Sequence, residues 1–176
     1  MFGIQANDVD VLEKIRSALN SDHPISVSKE KNKATLTIPS KILCKRLNDM
    51  GLTHRKTFDC DIEKILEYVP ENLERHFVRG MFDGDGGLGI YKYDYFKKHS
   101  FNMMFTGVAK TVGYMHRLFG LHTKIINEGN GIFTVTCKDR KKITELGHYM
   151  YDDATIYMNR KYAQFNRAYQ IYQTEK

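Results

Sequence analysis

The chain has 176 residues, 41% hydrophobic and 27% charged, with 27 Lys and Arg against 21 Asp and Glu for a formal net charge of +6. That apolar content builds a core and excludes a disordered tail, while the modest basic excess suits a polyanionic partner without specifying one. Three scattered cysteines (Cys44, Cys60 and Cys137) argue against a disulfide framework or a zinc site. No apolar run approaches the roughly 20 residues of a membrane span, and the N-terminus lacks a secretory pattern, so the expectation is an intracellular protein (cytoplasm, nucleoid or organelle matrix) without a membrane partner.

In chain order, "FGIQAN" reads as a strand, and "DVDVLEKIRSALN" as a helix with Val9, Leu12, Ile15 and Leu19 on one stripe and Asp8 as its N-cap. "ISVSKEKNKATLTI" gives two strands around a Lys-Asn turn, and "SKILCKRLNDMG" a helix capped by Ser40 and stopped by Gly51. "DIEKILEYVP" is a shorter helix closed by Pro70. "ENLERHFVRGMFDGDGG" is a helix with Leu73, Phe77, Val78, Met81 and Phe82 on one stripe, ended by glycines. "LGIYKYDYF" and "FNMMFTG" read as paired strands, "AKTVGYMHRLFG" as a helix, "TKIINEGNGIFTVTC" as a hairpin turning at Glu128-Gly129-Asn130-Gly131, and "KDRKKITELGHYM" as a helix. The longer "ATIYMNRKYAQFNRAYQIYQ" is the closing helix.

The order repeats. From about residue 103 the chain runs strand, helix, hairpin, helix and "NRK"; from residue 1 it does the same and ends in "HRK". The expected organisation is a truncated first repeat over 1–69, lacking the motif helix, and a complete repeat over 70–176, the two sharing one core.

The aspartates of "DGDGG" need an explanation. A helix stop accounts for one Gly and one Asp. It does not account for Gly80, since a mid-helix glycine costs about 1 kcal/mol relative to alanine, nor for two carboxylates at a helix C-terminus, where they oppose the macrodipole. Gly80 makes sense where another helix crosses closely. "GDGGLG" has the G-x-G-x-x-G spacing but follows a helix and opens a strand, the reverse of a dinucleotide loop. An EF-hand loop starting at Asp83 fails at Gly87 and Leu88. A carboxylate on a hard cation fits better: Mg²⁺ is held by one or two carboxylates plus substrate phosphate, with small neighbours letting a phosphodiester approach Asp85 and the Gly84 carbonyl as a second ligand.

"VRGMFDGDG", Val78–Gly86, resembles the motif of the LAGLIDADG homing endonucleases, with Gly80, Asp83, Asp85 and Gly86 at matching positions and Arg79 departing from the usual small residue. The resemblance implies an α+β fold: an αββαββα repeat with a curved antiparallel sheet, preceded by a truncated copy of the same repeat. It implies a site-specific, metal-dependent endonuclease acting on double-stranded DNA, with Asp85 catalytic and metal-binding, Gly84 as a further Mg²⁺ ligand, and motif helices packing through Gly80, Val78 and Met81. Lys161 in "MNRKY" matches the family's basic residue near the active site, with Arg160 adjacent and Lys56 as its counterpart in the partial copy; the implied role is to stabilise transition-state charge.

Within that framework the strand reading of "YKYDYF" puts Tyr91, Tyr93 and Tyr95 on one face, able to pack on the helices, and Lys92 on the other with Ile90. Lys92, Lys97 and Lys98 are then expected DNA contacts, as are Lys29, Lys31 and Lys33 at the first hairpin turn. A double-strand cut needs two acidic feet and the chain has one complete motif. The expectation is therefore a homodimer, through the helix of residues 71–84, or a missing N-terminal half on another polypeptide. The alternative is a non-cutting nucleic-acid binder, such as a maturase acting on intron RNA.

Overall fold

In the computed structural model, which describes residues 1–52, 62–120 and 123–176, the first half forms β1 (Phe2–Gln5), α1 (Val9–Ala18), β2 (Ile25–Ser28), β3 (Lys33–Leu36) and α2 (Lys41–Asp49). The second half forms α3 (Ile62–Leu66), α4 (Glu74–Asp85), β4 (Gly86–Tyr91), β5 (Ser100–Val108), α5 (Ala109–Phe119), β6 (Lys124–Gly129), β7 (Ile132–Cys137), α6 (Arg140–Tyr151) and α7 (Asn159–Thr174). Lys56 and Cys60 lie outside the described residues.

All strand pairs are antiparallel, in two sheets of order β1-β3-β2 and β4-β5-β7-β6. The order β1-β3-β2 reproduces β5-β7-β6, with a helix after the first strand and another after the third in each set. Among the described residues, α4 and β4 precede the second set.

Turn chemistry fixes the hairpins. Asn32 (φ 44°) turns β2 into β3, and Asn130-Gly131 (φ 51° and 76°) turns β6 into β7, both central residues in the left-handed region that a type I′ turn demands. Gly129 (φ 88°) takes up a register shift beside it. Ser40 caps α2 by accepting from the Leu43 N–H at 3.2 Å, and Asp139 caps α6 through Lys142.

Among the described residues the buried apolar side chains gather in two clusters. The larger packs Val78 and Phe82 of α4 with Phe101, Met103 and Phe105 of β5, and with residues of α5, β7, α6 and α7. The smaller gathers Leu12, Ala34 and Leu36. Polar contacts join the halves. Arg160 donates to both oxygens of buried Asp8 at 2.7 and 3.1 Å, and Lys14 donates to the Tyr157 carbonyl at 2.7 Å and to Asn159 at 2.6 Å. Asp8 therefore does not cap α1: its carboxylate is spent on Arg160, and no side-chain cap bond forms there.

Three further expectations are corrected. The closing helix begins at Asn159, because the Met158 N–H is drawn to Asp83 instead of entering a helical turn. β4 ends at Tyr91, so no strand runs through Tyr93 and Tyr95, and residues 92–99 form a loop. Ile90 faces the core, whereas Tyr91 points away from it, so the tyrosines do not pack on the helices.

Candidate metal and nucleic-acid site

The motif helix α4 delivers its two aspartates to different fates. Asp83 is 6% exposed; it accepts from the Tyr151 hydroxyl at 2.6 Å and from the Met158 N–H at 2.9 Å. Burial raises its pKa, and these two hydrogen bonds oppose the rise. The same burial, with the Asp83 charge and hydrogen bond, holds the Tyr151 phenol protonated far above its ordinary range. Asp83 is thus a structural anchor that ties α4 to the end of α6 and the start of α7.

Asp85, two residues on, is exposed at the last position of α4, and no hydrogen bond or ion pair among the described residues takes its carboxylate. Spacing explains the difference. Two residues turn a helix by about 200°, so neighbouring acids in D-x-D cannot share a face. Gly86 follows directly, and a Cβ there would overlap the Phe82 ring, so the strand can start this close to the helix only with glycine.

Lys161, the expected charge-stabilising residue, is 6% exposed. Its ammonium donates to the carbonyls of Phe82 at 2.8 Å, Asp83 at 2.6 Å and Gly86 at 2.6 Å. Burial, with Arg160 close by, brings its pKa down to about 8, while the Asp83 and Asp85 charges act the other way. All three protons go to the backbone that ends α4. In this geometry the Lys161 ammonium braces the turn that carries Asp85. Carbonyls at a helix C-terminus are the natural partners of a cation.

The expected packing residues separate as well. Val78 is buried in the larger core, and Met81 lies partly against it and partly exposed. Gly80 is exposed, and a Cβ placed there would meet nothing within 4 Å; the same holds for Gly84. No helix among the described residues crosses at Gly80, and none of them covers this face of α4 there. Arg79 does not obstruct it. Its guanidinium turns inward, donating to the Ile156 carbonyl at 2.7 Å and the Met150 carbonyl at 3.0 Å.

A cleft of about 280 Å³ opens beside this turn, lined by Phe82, Gly87, Leu88, Arg160, Lys161 and Gln164. Arg160 keeps a half-exposed side chain at its rim, held by Asp8, whose hydrogen bonds raise the guanidinium pKa. Gln164 reaches the Leu88 carbonyl at 3.3 Å. Sequence reasoning missed Gln164, because its role depends on α7 lying along β4.

The sheet face away from the core was also missed. Asn102, Met104 and Thr106 alternate with the buried Phe101, Met103 and Phe105, and Thr106 pairs with Thr134 through hydroxyls 2.9 Å apart. Amide and hydroxyl groups stand on this face beside the Met104 thioether, and the expected lysines lie on two separate loops. Lys92, Lys97 and Lys98 are exposed on the 92–99 loop, where Lys92 donates to the Lys97 carbonyl at 2.6 Å. Lys29, Lys31 and Lys33 are exposed at the β2–β3 turn.

The residues fit a hydrated hard cation better than a closed cage. Among the described residues no three His, Cys, Asp or Glu side chains converge. Asp85 offers one free carboxylate, which is what Mg²⁺ requires when water and a substrate phosphate complete its shell. Among the described residues no helix is long and apolar enough to cross a membrane.

No protein-family model matches the chain, and no curated protein sequence does. Solved structures do. The LAGLIDADG homing endonuclease I-GzeII, in complex with its DNA target, aligns over 98% of this chain and 79% of its own with a TM-score of 0.68 at 13% identity. I-LtrWI, bound to target DNA, aligns over 99% and 79% with a TM-score of 0.64 at 13% identity. The meganuclease I-AabMI, bound to uncleaved DNA, aligns over 98% and 81% with a TM-score of 0.63 at 14% identity. The α+β fold with two antiparallel sheets is therefore that of the LAGLIDADG homing endonucleases, as the motif around Asp85 implied.

Proposed function

We propose that the chain is a site-specific DNA endonuclease of the LAGLIDADG homing type, hydrolysing phosphodiesters in double-stranded DNA with a divalent metal, Mg²⁺ in the first instance. The observation that carries this reading is the contrast between the two motif aspartates. Asp83 has both oxygens engaged inside the protein, and Asp85 has neither engaged among the described residues, although the two are only two residues apart. A buried lysine then holds the Asp85 turn in place.

In this reading the Asp85 carboxylate and the Gly84 carbonyl hold the cation, whose chemistry is to activate water and neutralise the scissile phosphate. Lys161 fixes the turn, and Arg160 and Gln164 border the cleft beside it. The amide and hydroxyl face of β4-β5-β7-β6 lies toward base edges, and the lysines of 29–33 and 92–98 lie toward phosphates. Residues 1–69 act as a partial repeat and 70–176 as a complete one. The second acidic foot comes from a second copy or another polypeptide seated on the open face of α4 at Gly80 and Gly84. Gly80→Glu should abolish that association, read as a shift to monomer in light scattering, and cutting should fall with it.

The test is cleavage of a randomised DNA library with Mg²⁺ and without it. Metal-dependent double-strand cuts at a recurrent sequence support the proposal. The second reading, a non-cutting binder of DNA or of intron RNA, is favoured by one fact: among the described residues only one such acidic foot exists. Sequence-selective binding without cutting at any Mg²⁺ concentration would establish it.

A further inference from the structure

The 92–99 loop carries three exposed aromatic rings. Tyr95 is 95% exposed, Phe96 60% and Tyr93 48%. Tyr91, at the end of β4, folds back over Gly89, where a Cβ would overlap its ring, and lies near parallel to Tyr93 with ring centroids 6.3 Å apart. Phe96 meets Tyr93 edge-on at 6.1 Å. These rings form a short ladder that leaves the open sheet face and continues into solvent. Lys92, Lys97 and Lys98 surround it, against one carboxylate, Asp94.

Neither core uses these rings. Contiguous exposed aromatic surface marks an interaction site. Inside a base-paired stack an aromatic ring finds no free π-face, so rings of this kind have little to gain from an undistorted duplex. Rings interleaved with lysines instead match the chemistry of unpaired bases on a phosphate backbone. Tyr91 is the sixth residue of β4, which puts the ladder about 17 Å from the Asp85 turn at the rise of an extended strand.

We propose that the Tyr91–Tyr93–Phe96 ladder, with Tyr95 at its tip, is a stacking platform for single-stranded nucleic acid. The inference does not depend on cutting by Asp85, and it places a second mode of nucleic-acid contact at the far end of the same sheet.

Fluorescence anisotropy of the full chain with labelled oligo-dT and oligo-rU of about 16 nucleotides, and with a duplex of the same length, tests it. The unmodified chain should bind the single strands, and whichever polymer binds more tightly identifies DNA or RNA as the source of the strand. Tyr93→Leu and Tyr95→Leu keep apolar bulk but remove the π-face. Each should weaken single-strand binding by about tenfold while leaving duplex binding within about twofold. Tyr95→Leu alone carries no folding risk, since its ring touches neither core, and a thermal melt monitors both variants. The proposal is overturned if the unmodified chain ignores single strands, if the leucine variants bind them as well as it does, or if duplex binding falls equally. It is also overturned if the rings prove to mediate sedimentation with anionic phospholipid vesicles.

Discussion

Asp83 and Asp85 have the same side chain two residues apart, and the protein treats them as opposites. The carboxylate of Asp83 accepts two hydrogen bonds from groups that are themselves buried, so truncation would strand a phenol and a backbone N–H. Asp83→Ala should destabilise the fold by about 3 kcal/mol in urea denaturation, the range expected when a buried polar partner is deleted. A loss below about 0.5 kcal/mol would mean that water replaces the carboxylate. Lys161 is the other residue on which the turn depends. Lys161→Met should cost about 2 kcal/mol, because charge-assisted bonds to three carbonyls disappear. Lys161→Arg should not restore it, since a planar fork cannot point at three converging carbonyls as an ammonium does. Full rescue by arginine would place the lysine's role outside the protein, at a phosphate.

These residues were unequally legible in the sequence. The D-x-D spacing with its flanking glycines marked Asp85 as unusual, because acids at a helix C-terminus break a local rule. Nothing local marked which aspartate would be buried, since Tyr151 and Met158, which decide it, lie 68 and 75 residues away. Lys161 was picked out by resemblance, yet its orientation is a tertiary fact. The close crossing expected at Gly80 involves no helix among the described residues, where a Cβ at that position would meet nothing within 4 Å.

At the scale of elements, periodicity served helices better than strands. The stripes of α4, α5 and α6 and the Asn-Gly turn of β6–β7 follow from spacing and turn chemistry alone. The strand predicted through Tyr95 failed because alternation of Tyr with polar residues is equally the pattern of an exposed loop, and only pairing with β5, which stops at Tyr91↔Ser100, distinguishes them. The far end of that loop is fastened by a C-terminal clamp. Glu175 accepts from the His99 N–H at 2.9 Å and its ring at 2.6 Å, and from Arg140 at 2.9 Å. The hydrogen bond from His99 holds the Glu175 carboxyl down to about 2, from an ordinary 4.5. A depressed carboxylate pKa adds stability that is fully present above the unfolded value and fades as pH falls toward the folded one. The unmodified chain should therefore exceed Glu175→Gln in stability above about pH 4.5, and the two should converge as pH falls toward about 2. Denaturant titrations across that window check this, and a constant difference would contradict the clamp.

At the scale of the molecule, the strand order β1-β3-β2 answers β5-β7-β6, and among the described residues α4 and β4 precede the second set. Among the described residues the first sheet has its own apolar cluster, Ile62 and Leu66 pack in the larger one, and charged contacts at Asp8, Lys14 and Arg160 link the two sets. Asp8 and Arg160 lie close to the foot of α4, Arg160 lining the cleft with Phe82 and Lys161. Among the described residues the Asp85 carboxylate is uncommitted, at the junction of α4 and β4. The most direct test incubates the protein and its Asp85→Asn variant with a DNA library, with and without Mg²⁺. The expected result is cutting that requires the metal and falls by at least about 10³-fold in the variant, while the variant's thermal stability is unchanged. Equal cutting by both proteins, or cutting without a divalent cation, would contradict the assignment of Asp85.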